Sequence, residues 1–205
     1  MMRYRRKIIS VVEPPIVHKK IFTIVAGING VGKSSMTQLL RHNSDSFGTI
    51  IDPDDYAVKY GGNLLGGKEA IKDINYCIEN GLAFTEETTL SGKHIINTAK
   101  RAKNNGYTIN LIYIGLNSAQ DSIDRVANRV KNGGHDIPTE IIVRRYAHRF
   151  EQLTKILNYC DKADFYDNSN GYNPVATFEY DEIVQLSDNP PAWLIALFDY
   201  LDNKI

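Results

Sequence analysis

The chain is poor in every residue type that would mark a specialised environment. Its two cysteines, Cys77 and Cys160, stand far apart and form no part of a C-x-x-C or Cys/His cluster. That excludes a zinc site read from spacing, and the two read as buried thiols in a reducing cytoplasm. Net charge is missing as well: 24 Lys and Arg balance 24 Asp and Glu. A large basic nucleic-acid footprint is thereby excluded, a local basic patch is not, and no nucleic-acid partner is expected. No apolar run approaches the roughly 20 residues that a membrane helix requires. The run 8–12 is too short for the core of a signal peptide, and Glu13-Pro14-Pro15 follows it at once. No membrane partner is therefore expected, and a cytoplasmic location is. Repeats and low-complexity segments are absent too. What is left is a length of 205 residues, enough for one α/β domain with at most a small appendage, which can bury its core without staples.

Against that plain background one stretch is specific. Gly27-Ile28-Asn29-Gly30-Val31-Gly32-Lys33-Ser34 fits G-x-x-x-x-G-K-[ST]. The run 21–26 before it is apolar and partly β-branched, as a buried strand would be. Ser35 to Arg41 after it can be helical, with Met36, Leu39 and Leu40 on one face. In that setting backbone N–H groups cradle phosphate oxygens and the helix N-terminus adds partial positive charge. The nucleotide-binding residues expected are Gly27, Asn29, Gly30, Val31, Gly32, Lys33, Ser34 and Ser35. Lys33 reaches the β- and γ-phosphates and the Ser34 hydroxyl takes a place on Mg²⁺. The cofactors expected are ATP or GTP, with Mg²⁺.

The remaining segments alternate strand and helix, which predicts an α/β P-loop NTPase fold of three layers, a mostly parallel sheet flanked by helices. Residues 1–20 read as an arm and 21–205 as a single domain. A second strand, 47–51, ends in Asp52-Pro53-Asp54-Asp55, and ligands sit beyond the carboxyl ends of such strands. Asp52 and Asp55 are assigned to helix capping. The glycine-rich run 60–67 reads as a flexible connection, and 69–80 as a helix with Ala70, Ile71, Ile74, Cys77 and Ile78 on its apolar face. Glu87, at the end of the third strand, points at the ligand edge; of the adjacent acids Glu86 and Glu87, one is expected to face solvent. A strand over 107–116 precedes a helix begun by Ser118 and Asp121, an acidic form of the capping box. After Gly133-Gly134 one long helix is expected over 139–158. Five arginines, Arg125, Arg129, Arg144, Arg145 and Arg149, fall on these helices. They predict a helical lid over about 118–150, because a guanidinium fork suits phosphoryl oxygens. Further strands are expected at 163–169 and 175–180, with a C-terminal helix that buries Trp193.

Several of these segments together resemble the zeta toxin family of P-loop kinases, in particular its UDP-N-acetylglucosamine kinase-like branch. The matching stretches are 26–35, Ile51-Asp52-Pro53-Asp54, Glu87-Thr88-Thr89-Leu90-Ser91-Gly92, the segment 125–138 that ends Gly133-Gly134-His135-Asp136-Ile137-Pro138, Arg144-Arg145-Tyr146, and Asp167-Asn168-Ser169. The resemblance covers about residues 20–170 and implies a kinase that phosphorylates an alcohol group. It further implies a UDP-N-acetylhexosamine acceptor such as UDP-N-acetylglucosamine and an antitoxin protein as a candidate partner. It assigns Asp54 as the base toward the acceptor hydroxyl and Glu87 with Thr88 to substrate binding. Arg129 with Arg144 or Arg145 are implied at the γ-phosphate. The lid spacing departs from the toxin pattern. Two alternatives stay open: a nucleotide-gated binding protein that phosphorylates nothing, and a kinase of another small alcohol.

Overall fold

The protein is described from a computed structural model over residues 19–41 and 47–203. The expected N-terminal arm lies almost wholly outside the described residues. A seven-stranded sheet forms the middle layer, in the order β2-β3-β1-β4-β5-β6-β7. Its strands are β1 (Ile21–Ala26), β2 (Thr49–Ile51), β3 (Phe84–Thr88), β4 (Thr108–Gly115), β5 (Lys162–Asp167), β6 (Asn173–Glu179) and β7 (Glu182–Gln185). The first five run parallel, so their carboxyl ends share one edge; β6 and β7 add an antiparallel hairpin at the far side.

The side-chain period of two divides the core in two. Phe22, Ile24, Leu111 and Phe165 point to one face, where they pack under helices α3 (Asn63–Asn80), α4 (His94–Asn104), α7 (Arg149–Leu157) and α8 (Ala192–Asp202). Val25, Ile114, Met36 and Val126 form a smaller core on the other face, beneath α1 (Lys33–Arg41), α5 (Ala119–Lys131) and α6 (Thr139–Ala147). Phe22 and Phe84 stack across β1 and β3 with ring centroids 4.3 Å apart. Trp193 is buried as expected, and its indole N–H donates to Asp167 at 2.9 Å. Among the described residues no helix is long and apolar enough to cross a membrane.

Four expectations need correction. The glycine-rich run 60–67 is no flexible connection: Asn63–Gly67 form the first turns of α3, directly after α2 (Pro53–Tyr60). Gly61 takes the left-handed conformation that ends α2, at φ 80°. Gly66 lets the two helices touch, since a Cβ there would lie 2.5 Å from the backbone nitrogen of Ala57. The long helix expected over 139–158 is broken at His148, which adopts φ −97°, ψ 6°. The Arg149 guanidinium folds back there to donate to the Tyr146 carbonyl at 2.6 Å and lies 3.6 Å from the centre of the Tyr146 ring. Finally, Cys77 is buried but Cys160 only partly so, and both are free thiols. Ile71 and Leu39, placed by periodicity on apolar faces, are exposed.

Candidate active site

The site sits where the parallel strands end. β1 delivers the chain into the loop 27–32, and α1 begins at Lys33. Gly27, Gly30 and Gly32 all have positive φ, between 78° and 148°, so the loop can turn its amides inward. The loop is held from a distance. Asn168 donates through Nδ2 to the Val31 carbonyl at 2.8 Å, and the Tyr172 hydroxyl donates to the Gly32 carbonyl at 2.6 Å. The Lys33 ammonium donates to the Ile28 carbonyl at 3.1 Å, across its own loop. Burial lowers the Lys33 pKa, against the opposing pull of Glu87, Asp52 and Asp54.

Two buried carboxylates face the hydroxyl of Ser34. Its Oγ is 3.1 Å from Oε2 of Glu87 and 3.4 Å from Oδ2 of Asp52. Thr37, one turn further along α1, donates to Glu87 Oε1. Burial, and then the negative charge of Asp52, push the Glu87 carboxyl up to about 7. Asp52 is raised too, chiefly by burial. Asp52 caps α2 as expected, accepting from the Asp54 amide at 2.9 Å. The capping assignment was incomplete, because the other oxygen of the same carboxylate serves Ser34. Asp55 points away and pairs with Arg41 at 3.1 Å. The set of hydroxyl and carboxylate oxygens around Ser34 suits a hard divalent cation. Among the described residues no three acidic, histidine or cysteine side chains converge on a metal position by themselves. That is compatible with Mg²⁺, which takes few protein ligands and arrives with the phosphates.

Asp54 is exposed on the first turn of α2 and lines a cleft of about 460 Å³ that opens beside the loop. Arg125, Arg129 and Arg145 line the same cleft. Arg145 donates to Oδ1 of Asn29, in the phosphate loop itself, at 2.6 Å. Arg129 donates to the His135 carbonyl and Arg125 to the Asn168 carbonyl, each at 2.6 Å. The five arginines of α5, α6 and α7 thus divide. Arg144 is exposed and outside the cleft lining, and Arg149 is spent on the Tyr146 and Phe150 rings. The geometry brings together Lys33, Ser34, Asp54, Glu87, Thr88, Arg129 and Arg145, and leaves Arg144 apart. Glu87, implied as a substrate ligand, is placed against Ser34 and Thr37 instead.

Of the two adjacent acids on β3, neither faces solvent: both are 3% exposed. They lie on opposite faces of the strand, Glu87 toward α1 and Glu86 toward α4. His94, at the start of α4, comes within 3.4 Å of Glu86 through Nε2, and this contact raises the His94 pKa. Sequence reasoning missed Thr37, His94, Glu86 and Tyr172. Only Thr37 left a local signal, being four residues after Lys33 and so on the same side of α1.

This arrangement can be set beside known proteins. A family model described as Zeta toxin matches residues 70–172. An uncharacterised protein of Haemophilus influenzae is 36% identical over 135 residues, which are 63% of this chain and 93% of that protein. Among solved structures, a chain from the PezAT chromosomal toxin–antitoxin system of Streptococcus pneumoniae gives a TM-score of 0.58 at 16% identity, covering 90% of this chain and 87% of that one. A chain of AvrRxo1-ORF1:-ORF2 with ATP gives 0.61 at 13% identity, over 82% of this chain and 60% of that one. At such identities the structures establish a shared fold. The family match begins in α3, takes in β3, the cleft residues from Glu86 onward and helices α5 and α6, and ends at Tyr172; the phosphate loop and Asp54 lie before it. This chain belongs to the zeta toxin family of P-loop kinases.

Proposed function

We propose that the protein transfers the γ-phosphate of ATP or GTP to a hydroxyl of a small molecule, with a UDP-N-acetylhexosamine such as UDP-N-acetylglucosamine as acceptor. The observation that carries this reading is a single cleft lined by Lys33 and Ser34, by Asp54, and by Arg129 and Arg145. Residues 21–205 act in it as one kinase domain, with about 118–150 as the lid. The phosphates lie on the loop amides, and Lys33 leaves the Ile28 carbonyl for the β- and γ-oxygens. Ser34, with Asp52 and Glu87 behind it, would hold Mg²⁺, which supplies charge neutralisation at the phosphates. Asp54 orients the acceptor hydroxyl and takes its proton as the new O–P bond forms and the bond to the leaving ADP or GDP oxygen breaks. Arg129 and Arg145 balance charge on the equatorial oxygens. Thr88, which lines the same cleft as Asp54, contacts the acceptor in this reading.

The test is transfer from γ-labelled ATP with Mg²⁺ into UDP-sugars, nucleosides and simple sugars, with wild type beside Asp54→Asn and Lys33→Ala. Label entering UDP-N-acetylglucosamine in wild type, and lost in both variants, is the expected result. Label in a different compound retains the chemistry and replaces the acceptor. Tight ATP binding without transfer to any acceptor would favour a nucleotide-gated binding protein. A toxin-like role, with an antitoxin as partner, predicts growth arrest on expression that Lys33→Ala relieves; growth unaffected by the wild-type chain would sink it.

A further inference from the structure

We propose that Glu86 is the residue that selects the acceptor: it accepts a hydrogen bond from a second hydroxyl or an amide N–H of the molecule being phosphorylated. This deepens the kinase reading and rests on it, but not on the acceptor being a UDP-sugar. Glu86 stands on β3 directly beside Ile51, the last residue of β2, so it adjoins the strand end that carries Asp54. Its side chain is 4% exposed and lines the cleft together with Leu90, Gly92 and Ile95. Oε1 meets only the imidazole of His94, itself about half exposed. Oε2 is buried, and no donor among the described residues reaches it.

A buried carboxylate with free acceptor positions is unfavourable unless a donor arrives. Glu87, its neighbour, has its oxygens engaged by Ser34 and Thr37, so the deficit belongs to Glu86 alone. The triphosphate is not what relieves it, because a carboxylate repels phosphate. The complement of Glu86 is an uncharged donor, as a polyol, sugar or acetamido group provides. His94 meets the carboxylate from the cleft, and its half-exposed ring can turn aside as the donor arrives. Leu90 and Ile95 give that donor a dry apolar setting, in which its hydrogen bond discriminates strongly against an analogue that lacks it.

The experiment is calorimetric titration of UDP-N-acetylglucosamine into the protein with Mg·ADP bound, using wild type, Glu86→Gln and Glu86→Ala. Nucleotide affinity and melting temperature are measured on each variant, and the labelled-transfer panel is repeated with them. We expect acceptor affinity to fall at least tenfold in both variants, with nucleotide affinity unchanged and a melting temperature equal to wild type or higher. Equal acceptor affinity in wild type and Glu86→Gln overturns the inference, as does a fall in melting temperature large enough to show that Glu86 holds the fold. If wild type ignores UDP-N-acetylglucosamine but labels another compound, the UDP-sugar reading fails by itself. Glu86 is then supported if that labelling is lost in the variants and rejected if it is kept. If no hydroxyl compound of the panel binds or is labelled, the inference is rejected with the rest.

Discussion

Replacing Glu87 by Gln is expected to stabilise the nucleotide-free protein at alkaline pH, and the size of the gain follows from the site. Burial first, and then the charge of Asp52, carry the Glu87 carboxyl from 4.5 to about 7; Thr37, Lys33 and Ser34 pull the other way and do not offset this. A raised carboxyl pKa means that the folded state holds the proton more tightly than the unfolded state. Its contribution is therefore fully present below pH 4.5 and is lost as pH climbs to about 7. At about 1.36 kcal/mol for each pH unit between those values, the loss is on the order of 3 kcal/mol. A glutamine does not ionise, but its one carbonyl oxygen cannot serve both Ser34 and Thr37, which returns about 1 kcal/mol. The net gain near pH 8 is about 2 kcal/mol, or roughly 4–8 °C in melting temperature for a chain of this size. Thermal melts of both proteins between pH 5 and pH 8.5, at fixed ionic strength, should diverge as pH rises and converge at the acid end. Saturating Mg·ADP should raise the wild-type melting temperature more than that of the variant. Parallel curves, or a wild type that is the more stable at pH 8, would refute the reasoning.

The lid arginines give a paired prediction. Arg145→Ala should lower kcat by about 10³-fold or more, the scale of a phosphate-bracketing arginine, whereas Arg144→Ala, whose side chain is outside the cleft, should stay within a few-fold in the same transfer assay. Gly66→Ala should cost about 1–3 kcal/mol, because the added Cβ meets the backbone of Ala57, which cannot swing away; urea unfolding should show a lower midpoint with an unchanged slope. Trp193→Phe removes the donor to the buried Asp167 and should cost about 2–4 kcal/mol in the same measurement, more than the shape change alone explains.

What could be read from the sequence was what depends on near neighbours. Strand, glycine loop and helix at 21–41 are continuous, and each carries its own signal. The Ser118–Asp121 capping box spans three residues and forms as expected. The failures share a different cause. Glycines that let α2 and α3 touch look the same in sequence as glycines of a loop, and only the partner helix tells them apart. Both halves of the helix pair broken at His148 keep the helical period, so nothing in the pattern marks the break. The second role of Asp52 needs Ser34, and the burial of Glu86 needs His94 to close over it. Arg144 and Arg145 are adjacent and chemically identical, and which one faces the phosphate loop depends on how α6 is rotated against α5.

The supports under the phosphate loop come from far downstream. Asn168 and Tyr172 grip the carbonyls of Val31 and Gly32 across separations of 137 and 140 residues. A chain emerging from the ribosome therefore displays its whole nucleotide motif long before the parts that brace it have been made. The loop is therefore expected to reach its braced geometry only once β5 and the turn after it have docked. Tyr172→Phe isolates the dependence: loss of one hydroxyl, remote in sequence from every phosphate-binding residue, should weaken ATP binding while the fold stays intact.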